Sequence, residues 1–390
     1  MIFSRAERAA VIDWWLTVDR TLLALILTLA LAGLTASLIA SPPVAVHFKL
    51  EPFYFVKRQA LGMIIALVIM FAVSLLTPSL IKRIALILFL GGLTIIVASL
   101  LQGAERNGAT RWLLFSGAVI QPSEFAKPGF VVLSAWLFAE SIKRPDMPAL
   151  ELAVLMLATF VSLLVLQPDM GQTIIVACVW SGLLFLSGYS LRLLPVFVIA
   201  GALGLAAAYS TMPHFTNRLD RFAHGAGETM QTAVALNTFR EAGWLGHGLG
   251  EGFAKARLPD AHNDFVFAAI AEETGIAACL FLILIYALIV WRVLRVAFRD
   301  QDAFSRLAAL GLVTIFGLQA LINMAVNLNL LPAKGVTLPF VSYGRSSLIA
   351  SAITLGMIVA LTRRPAYRNA AHFMSALDGM AVTSSRGNLL

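Results

Sequence analysis

Charged residues are scarce in this sequence. Asp, Glu, Lys and Arg make up only 13% of its 390 residues, whereas hydrophobic residues make up 59%. The mean hydropathy is +0.85, and apolar runs of about 20 residues recur, which is the length that spans the hydrocarbon core of a bilayer. The composition therefore argues against the two or three soluble domains that this length would allow, and it favours a membrane-embedded protein.

Cysteine is nearly absent as well. The two cysteines, Cys178 and Cys279, lie inside apolar runs, and they fit neither a disulfide framework nor a metal-binding motif. We expect both to be packed thiols. Residues 1–20 are polar and contain two tryptophans. They lack the pattern of a cleaved signal peptide, so we expect them to form a cytoplasmic N-terminal segment.

The apolar runs predict an all-α integral membrane protein with about ten transmembrane helices and partly embedded external segments. The predicted membrane domain covers residues 21–362, with a large external loop at 213–263 and a flexible cytoplasmic tail at 363–390. The predicted helices lie roughly at 21–41, 59–77, 82–101, 123–141, 148–167, 172–189, 193–212, 265–291, 307–328 and 343–362.

The positions of Lys and Arg predict the orientation. Sixteen of the 29 basic residues fall in the two termini and in the loops on the same side of the membrane, and the cytoplasmic side is the one enriched in these residues. We therefore expect both termini in the cytoplasm. This orientation explains the net charge of +8 better than nucleic-acid binding does, and no nucleic-acid partner is expected.

Two segments on the external side combine polar and apolar residues. Residues 107–127 are too short and too polar at their ends to span the bilayer, and residues 327–347 are interrupted by Pro332, Gly335 and Pro339. Irregular backbone at membrane depth is tolerated only against protein or a water-filled cavity. The two segments together therefore predict a polar cavity that opens outward.

Asp264 stands where the polar loop meets the eighth predicted helix, and two interpretations of it are open. Asn263 or Asp264 could cap that helix by accepting hydrogen bonds from free backbone N–H groups. Alternatively, Asp264 is a carboxylate at the rim of a partly dry cavity, where it can act as a general base. His262 would then tune that carboxylate or bind substrate.

Other charged residues on the external side carry the same ambiguity. Glu124 and Lys127 have the spacing of a helical ion pair, and Asp169 lies in a Pro- and Gly-containing turn that a carboxylate can stabilise. Glu272 and Glu273 follow Asp264 by two helical turns, about 12 Å, which is too far for a glycosidase-type carboxylate pair. Together these cations and carboxylates would suit an anionic, lipid-linked substrate.

Four stretches resemble signatures of the SEDS family, the RodA/FtsW type of bacterial wall-synthesis protein. They are "GATRWL…QPSEFAK", "QPDMGQT", "LPDAHNDFVFAAIAEETG" and "LLPAKGVTLPFVSYGRSS". They occur in the family's order within a similarity that runs from about residue 20 to about residue 362. The sequences of two stretches resemble the division members of the family more than the elongation members. They are "NLNLLPAKGVTLPFVSYG" and "GLGEGFAKARLPDAHNDF".

The resemblance implies a ten-helix fold and a peptidoglycan glycosyltransferase. Such a protein polymerises lipid II, a disaccharide peptide on undecaprenyl pyrophosphate, outside the cytoplasmic membrane. It works with a class B penicillin-binding protein and, in division, with other division-complex membrane proteins. The family's essential aspartate maps onto Asp264, and its conserved basic residues map onto Arg111, Lys127 and Lys334. A divalent cation such as Mg²⁺ is left open as a cofactor.

Two departures from the family pattern stand near the predicted cavity. Asn263 replaces the usual threonine, and both residues are polar. Arg345 replaces a glycine of the usual SYGGSS sequence. Either Arg345 strains a tight turn that the glycine allows, or it adds a contact to a substrate phosphate.

Three functions remain as alternatives to a division polymerase. They are a flippase or transporter of lipid-linked precursors, a scaffold for a division synthase, and an elongation polymerase. Transporters often carry inverted repeats and charges near the midplane of the bilayer. This sequence shows no internal repeat, and its charges lie toward one face. These features favour the polymerase.

Overall fold

The computed structural model describes residues 5–102, 112–115, 118–144, 146–189, 194–211, 216, 220, 230–248, 250–252, 261–332 and 335–363. Within these ranges the chain forms twelve α-helices and one two-stranded hairpin. The helices are α1 Arg5–Thr17, α2 Arg20–His47, α3 Tyr54–Ser74, α4 Pro78–Gln102, α5 Pro122–Lys143, α6 Ala149–Leu166, α7 Met170–Leu186, α8 Leu194–Thr211, α9 Met230–Ala242, α10 Val266–Ala297, α11 Ala303–Asn327 and α12 Arg345–Thr362.

Eight helices, α2 to α6 and α10 to α12, are long and apolar enough to cross a membrane, and α7 and α8 are shorter apolar helices. These ten helices coincide with the ten predicted segments. The prediction of an all-α integral membrane protein is therefore confirmed. The chain is a multi-pass membrane protein.

Some helices differ from the prediction for identifiable reasons. α1 and α9 were missed because they are amphipathic, whereas the prediction rested on apolar runs. α2 continues through Pro42 and Pro43 to His47, although proline usually ends or kinks a helix. The predicted end at residue 41 is therefore wrong.

Three helices form the centre of the bundle. In α5, α11 and α12 the membrane-spanning window is 72%, 67% and 78% buried, whereas in α3 and α6 it is 22% buried. α5 packs on α4, α11 and α7, and α12 packs on α3 and α11. Helices that are apolar all round belong in such a core. Polar residues within these helices such as Lys127 and Asn323 are therefore enclosed by protein.

A short antiparallel hairpin precedes α5. β1 is Leu113–Phe115 and β2 is Ala118–Ile120, with Leu113 opposite Ile120. Pro122 then opens α5 in its first turn, where its missing N–H costs nothing. Within the segment predicted as partly embedded, the described residues thus form a hairpin followed directly by a core helix.

The bundle has two chemically different ends. The end that carries Asp264 and the hairpin is called the site end. The opposite end carries a concentration of basic residues and is called the basic end. Its basic residues include Arg20, Lys82, Arg83, Lys143, Arg144, Arg292, Arg295, Arg299, Arg306 and Arg363.

α10 is broken at Gly275, where φ is +80°. Across the break, the N–H groups of Ile276 and Ala277 donate to the carbonyls of Gly243 and Trp244, at 3.1 and 3.3 Å. The carbonyls of Glu272 and Glu273 accept from the N–H groups of His247 and Gly248, at 2.9 and 3.1 Å. The segment 243–248 thus replaces the hydrogen bonds that the helix loses at Gly275.

This insertion depends on glycines. A Cβ at Gly275 would lie 2.2 Å from the carbonyl oxygen of Trp244, and one at Gly246 would lie 2.3 Å from the carbonyl carbon of Glu273. Part of the predicted external loop is therefore packed structure, because α9 leads directly into a segment built into α10.

A third close approach fixes α2 against the chain before α12. A Cβ at Gly33 would lie 2.2 Å from the carbonyl oxygen of Phe340, which has a left-handed φ of 68°. Tyr286 of α10 donates its hydroxyl to the neighbouring carbonyl of Pro339. The chain from 335 to 344 is therefore held between α2 and α10.

We expect Gly33→Ala to lower the midpoint of thermal unfolding in detergent, because the new methyl group overlaps backbone at a cost of about 1–3 kcal/mol. The matched control is Gly91→Ala in α4, where a Cβ has nothing within 4 Å. The control should unfold no earlier than wild type, since alanine favours a helix over glycine by about 1 kcal/mol. Equal midpoints for the two variants would contradict the close approach of α2.

Candidate functional site

The start of α10 is held by two asparagines of α11. The side-chain amides of Asn323 and Asn327 both donate to the main-chain carbonyl of Asp264, at 3.0 and 2.9 Å. The two asparagines are one helical turn apart and nearly fully buried. A buried carbonyl without a partner would cost about 1–3 kcal/mol. This pair therefore fixes the backbone that carries the Asp264 side chain.

The cap of α10 comes from the same pair. Phe265 occupies the N-cap position without a side-chain hydrogen bond, and the Asn327 amide oxygen accepts from the N–H of Ala268 at 3.1 Å. The N-cap position thus belongs to Phe265, whereas Asn263 or Asp264 was predicted there. α11 supplies an acceptor for this helix start from outside the segment.

The Asp264 carboxylate lies close to Gly335 at the site end. The side chain is half-buried, with Oδ1 buried, and a Cβ at Gly335 would lie 3.8 Å from Oδ2. Gly335 has a left-handed φ of 64°, and the next carbonyl, of Val336, accepts from Asn323 at 2.8 Å. Asn323 thus ties the two segments of the site together.

An aromatic cluster lies beside Asp264. The His262 ring stacks on Phe55 with centroids 4.8 Å apart and contacts Tyr343 at 5.2 Å. Phe55 and Tyr343 meet edge to face at 5.2 Å, and the N–H of Tyr343 donates to the His262 carbonyl at 2.9 Å. His262, predicted to tune the carboxylate or bind substrate, is thus placed two residues from Asp264 in a fixed ring stack.

Two exposed arginines accompany this cluster. Arg58, in α3, hydrogen-bonds to Tyr343 and lies over the Tyr54 ring at 4.6 Å. The positive charge of Arg345 acts on Tyr343 and favours a lower pKa of its hydroxyl. Burial raises the pKa of Tyr343, and the two arginine charges oppose that shift without cancelling it. Tyr343 therefore remains a neutral hydroxyl at neutral pH.

Arg345 is the first residue of α12 and has no left-handed backbone conformation. The interpretation in which Arg345 strains a tight turn is therefore wrong, because a helical position accepts any side chain with a β-carbon. Its side chain is exposed at the site end. The alternative, a contact to substrate phosphate, stays a prediction.

Lys127 and Glu124 form a buried ion pair at the start of α5. The Lys127 ammonium donates to Glu124 at 2.8 Å and to Gln172 of α7 at 2.7 Å, and Gln172 donates to Glu124 at 2.9 Å. Their side chains are only 2% and 5% exposed. The adjoining cavity of about 10 Å³ has room for about one water. The ion-pair interpretation is confirmed, and in this conformation Lys127 has no surface to offer a phosphate.

Asp169 joins three helix starts. It caps α7 by accepting from the N–H of Gln172 at 3.4 Å, and it accepts from the Gln121 side chain at 3.4 Å. The Gln121 N–H donates to Ser346 of α12 at 3.3 Å. The prediction of a turn-stabilising carboxylate is confirmed, because Asp169 is buried in this contact. In this conformation the Asp169 side chain is buried and therefore not accessible for the predicted contact with substrate.

Two predicted phosphate contacts, Arg111 and Lys334, lie outside the described residues. The residues that the prediction missed are Arg58, Asn323, Asn327, Phe55 and Tyr343. The spacing of the two asparagines in α11, four residues apart in an apolar helix, was the available signal for them. Arg58 directly precedes a predicted span and could have been found in the same way as the other charges at the bilayer edge.

Within the described ranges, no three His, Cys, Asp or Glu residues come together as ligands for a metal ion. Asp264 supplies a single carboxylate, whereas Mg²⁺ sites without substrate need several oxygen ligands. The described residues therefore do not form a resident metal cage. A divalent cation as cofactor stays a prediction.

Comparison with known proteins places this chain in a family. The FtsW/RodA/SpoVE family of cell cycle proteins matches residues 19–367. A relative from Caulobacter vibrioides named "Probable peptidoglycan glycosyltransferase FtsW" is 38% identical over 93% of both chains. One of the same name from Alcanivorax borkumensis is 36% identical over 88% of this chain and 92% of its own.

Comparison with solved structures indicates the same family as the sequence comparison. A chain from a peptidoglycan synthase complex that coordinates polymerisation and crosslinking superposes with a TM-score of 0.75 at 27% identity. It covers 89% of this chain and 98% of its own. The rod shape determining protein RodA of Thermus thermophilus gives 0.65 at 26% identity, over 89% and 97%. This chain belongs to the FtsW/RodA/SpoVE family, the SEDS proteins.

We expect Asn327→Ala to loosen the first turn of α10, because the variant loses both the cap of Ala268 and one donor to the Asp264 carbonyl. A lost cap costs about 1 kcal/mol, so backbone amides near residue 268 should exchange hydrogen roughly fivefold faster. Hydrogen exchange followed by mass spectrometry measures this directly.

The control for this experiment is Thr314→Ala, also in α11, whose hydroxyl bonds only to the Leu310 carbonyl of its own helix among the recorded contacts. It should leave exchange at the start of α10 unchanged. Unchanged exchange in Asn327→Ala would show that α11 does not cap α10.

Proposed function

We propose that this chain is a peptidoglycan glycosyltransferase of cell division that polymerises lipid II at the site end. The observation that carries the proposal is the half-buried Asp264 carboxylate, fixed through its backbone by Asn323 and Asn327 and accompanied by exposed Arg58 and Arg345. Two relatives in the same family carry the name "Probable peptidoglycan glycosyltransferase FtsW". A general base beside cations suits a sugar hydroxyl and a pyrophosphate.

The chemistry needs one proton transfer and one displacement. Asp264 takes the proton of the 4-hydroxyl of the acceptor sugar, and that oxygen forms a bond to the anomeric carbon of the donor. The bond between this carbon and the pyrophosphate oxygen breaks, and lipid pyrophosphate leaves with the electron pair.

The leaving pyrophosphate needs positive charge. Arg58 and Arg345 are the described cations exposed beside the aromatic cluster, and guanidinium groups pair well with phosphate oxygens. Lys334 precedes Gly335, which faces Asp264, so its chain position supports the predicted phosphate contact. Arg111 is proposed for the same role, and any divalent cation would arrive with the pyrophosphate.

The orientation follows from the two ends. The basic end faces the cytoplasm, since cytoplasmic loops are enriched in Lys and Arg. Both termini are then cytoplasmic, and the site end opens outside the cytoplasmic membrane. This is the side on which lipid II is polymerised.

We further propose a class B penicillin-binding protein as partner, with other division-complex membrane proteins. The support is the similarity to a chain from a peptidoglycan synthase complex. Small residues permit close approach of helices in lipid, but three of the small or polar residues of α11 contact this chain itself. A Cβ at Gly311 would meet Val131 at 2.6 Å, one at Gly317 would meet Val290 at 3.0 Å, and Asn323 is buried. Gly311 and Asn323 are thus buried in the chain and Gly317 is half-buried, whereas Ala277 is exposed on α10.

We expect Asp264→Asn and Asp264→Ala to reduce polymerisation at least 100-fold, because a general base contributes about 10²–10⁴-fold. The assay uses purified protein and labelled lipid II, with and without the class B partner, and glycan chains are separated by length. Glu51→Gln is the control, since Glu51 is an exposed carboxylate at the same end that pairs only with Lys57 among the recorded ion pairs.

The Asp264 variants should insert in the membrane at wild-type levels. Near-normal activity of Asp264→Asn would exclude Asp264 as the base. If the wild-type protein translocates lipid II without polymerising it, the protein would instead be a flippase. If it neither translocates nor polymerises lipid II, the protein would be a scaffold.

Depletion of the protein tests the division role. We expect cells to grow in length without dividing, because septal glycan synthesis would stop while side-wall synthesis continues. Microscopy of the depleted cells measures this. Round or wide cells that still divide would assign the chain to elongation and leave the glycosyltransferase activity intact.

A further inference from the structure

A second cavity lies at the basic end, at the opposite end of the bundle from Asp264. Its volume is about 630 Å³, within the range of about 300–1,000 Å³ typical of ligand pockets. It lies between the start of α2, the last turns of α10 and the end of α12. The walls therefore come from both termini of the membrane domain and from a helix that reaches Asp264.

The cavity is strongly cationic. Five arginines line it, Arg20, Arg292, Arg295, Arg299 and Arg363, against two aspartates, Asp19 and Asp300. Arg292 donates to Asp19 at 2.7 Å, and Asp19 also caps α2 through the N–H of Leu22. Arginines thus outnumber carboxylates by three, so an anion would enter a field that already favours it.

Besides Arg292, three of these arginines are held in place by specific contacts. Arg20 lies over the Trp15 ring at 5.0 Å, and Arg295 lies over the Trp291 ring at 5.3 Å. Arg363 donates to the Leu76 carbonyl at 3.1 Å, and burial lowers its pKa. Such contacts reduce the side-chain entropy that would be lost on binding an anion.

An apolar surface adjoins the arginines. α1 is anchored by Trp14, which donates to Ser74 at 2.9 Å and contacts the Phe71 ring at 4.9 Å. On its outer side Trp15 and Leu16 are 50% and 69% exposed, and Leu16 lines the cavity. A helix with such an apolar side and tryptophan lies in the plane of the membrane interface.

From this combination we infer that the cavity binds the headgroup of an anionic phospholipid. The phosphate contacts Arg295, Arg299 and Arg363, and the acyl chains lie against the apolar side of α1. Basic pockets between transmembrane helices at one leaflet bind such headgroups. A free phosphate would gain nothing from Leu16 and Trp15, and an acidic peptide would need to enter at the depth of the headgroups. The inference is independent of the proposed reaction at Asp264.

The test measures binding of phosphatidylglycerol to the purified full-length protein in detergent by native mass spectrometry, with phosphatidylcholine and inorganic phosphate in parallel. The cavity variant is Arg295→Gln with Arg299→Gln. The matched control is Arg83→Gln with Arg144→Gln, which removes two charges from the same end but outside the cavity. Each arginine near anionic lipid is worth about 1 kcal/mol, so the cavity variant should bind phosphatidylglycerol roughly 30-fold more weakly.

The expected result is tight phosphatidylglycerol binding in wild type and control, loss in the cavity variant, and no comparable binding of phosphatidylcholine or phosphate. Equal losses in both double variants would indicate diffuse surface charge and overturn the site. Equal binding of inorganic phosphate would make it a free-anion site. If the protein shows no preference for phosphatidylglycerol, the lipid is excluded as the ligand, and an acidic protein partner becomes the alternative. Should the double variant fail to fold, Arg299→Gln alone against Arg83→Gln gives the same comparison.

Discussion

Backbone polar groups within a bilayer must be satisfied by protein, and the site end of this molecule is organised by that requirement. Helix α10 meets it twice. Asn323 and Asn327 satisfy the carbonyl of Asp264 and the N–H of Ala268 at its start. Two turns further on, the segment 243–248 supplies the hydrogen bonds lost at Gly275. The carboxylate proposed as catalytic base is thus carried by backbone that is fixed from both sides.

Burial, more than charge type, separates the roles of the charged residues. Lys127 and Glu124 are enclosed between α5 and α7, where their charges satisfy each other. Arg58 and Arg345 carry the same kind of charge at the surface beside Tyr343. Only the second pair is exposed to a substrate, whereas the first is enclosed by protein. At the other end, Arg20, Arg295 and Arg299 are likewise exposed, whereas Arg292 and Arg363 are half-buried.

The sequence predicted the ten apolar helices and the position of Asp264, because hydropathy and local motifs carry that information. It did not predict which residue would cap α10, since Asn327 is 63 residues away from Asp264 along the chain. It also left Lys127 ambiguous, because the spacing of an ion pair says nothing about the depth at which the pair is packed. The break at Gly275 was not predicted for a similar reason, since it depends on contacts with the segment 243–248, which only the fold brings close.

The Glu124–Lys127 pair also constrains how this protein can vary. Removing one member of a buried ion pair leaves an uncompensated charge and costs about 3–5 kcal/mol, whereas replacing both by apolar residues is often nearly neutral. Single substitutions at either position must therefore pass through a destabilised protein, even where the final double replacement is tolerated. The two positions are consequently expected to change together during descent, and Gln172, which hydrogen-bonds to both side chains, is expected to change with them.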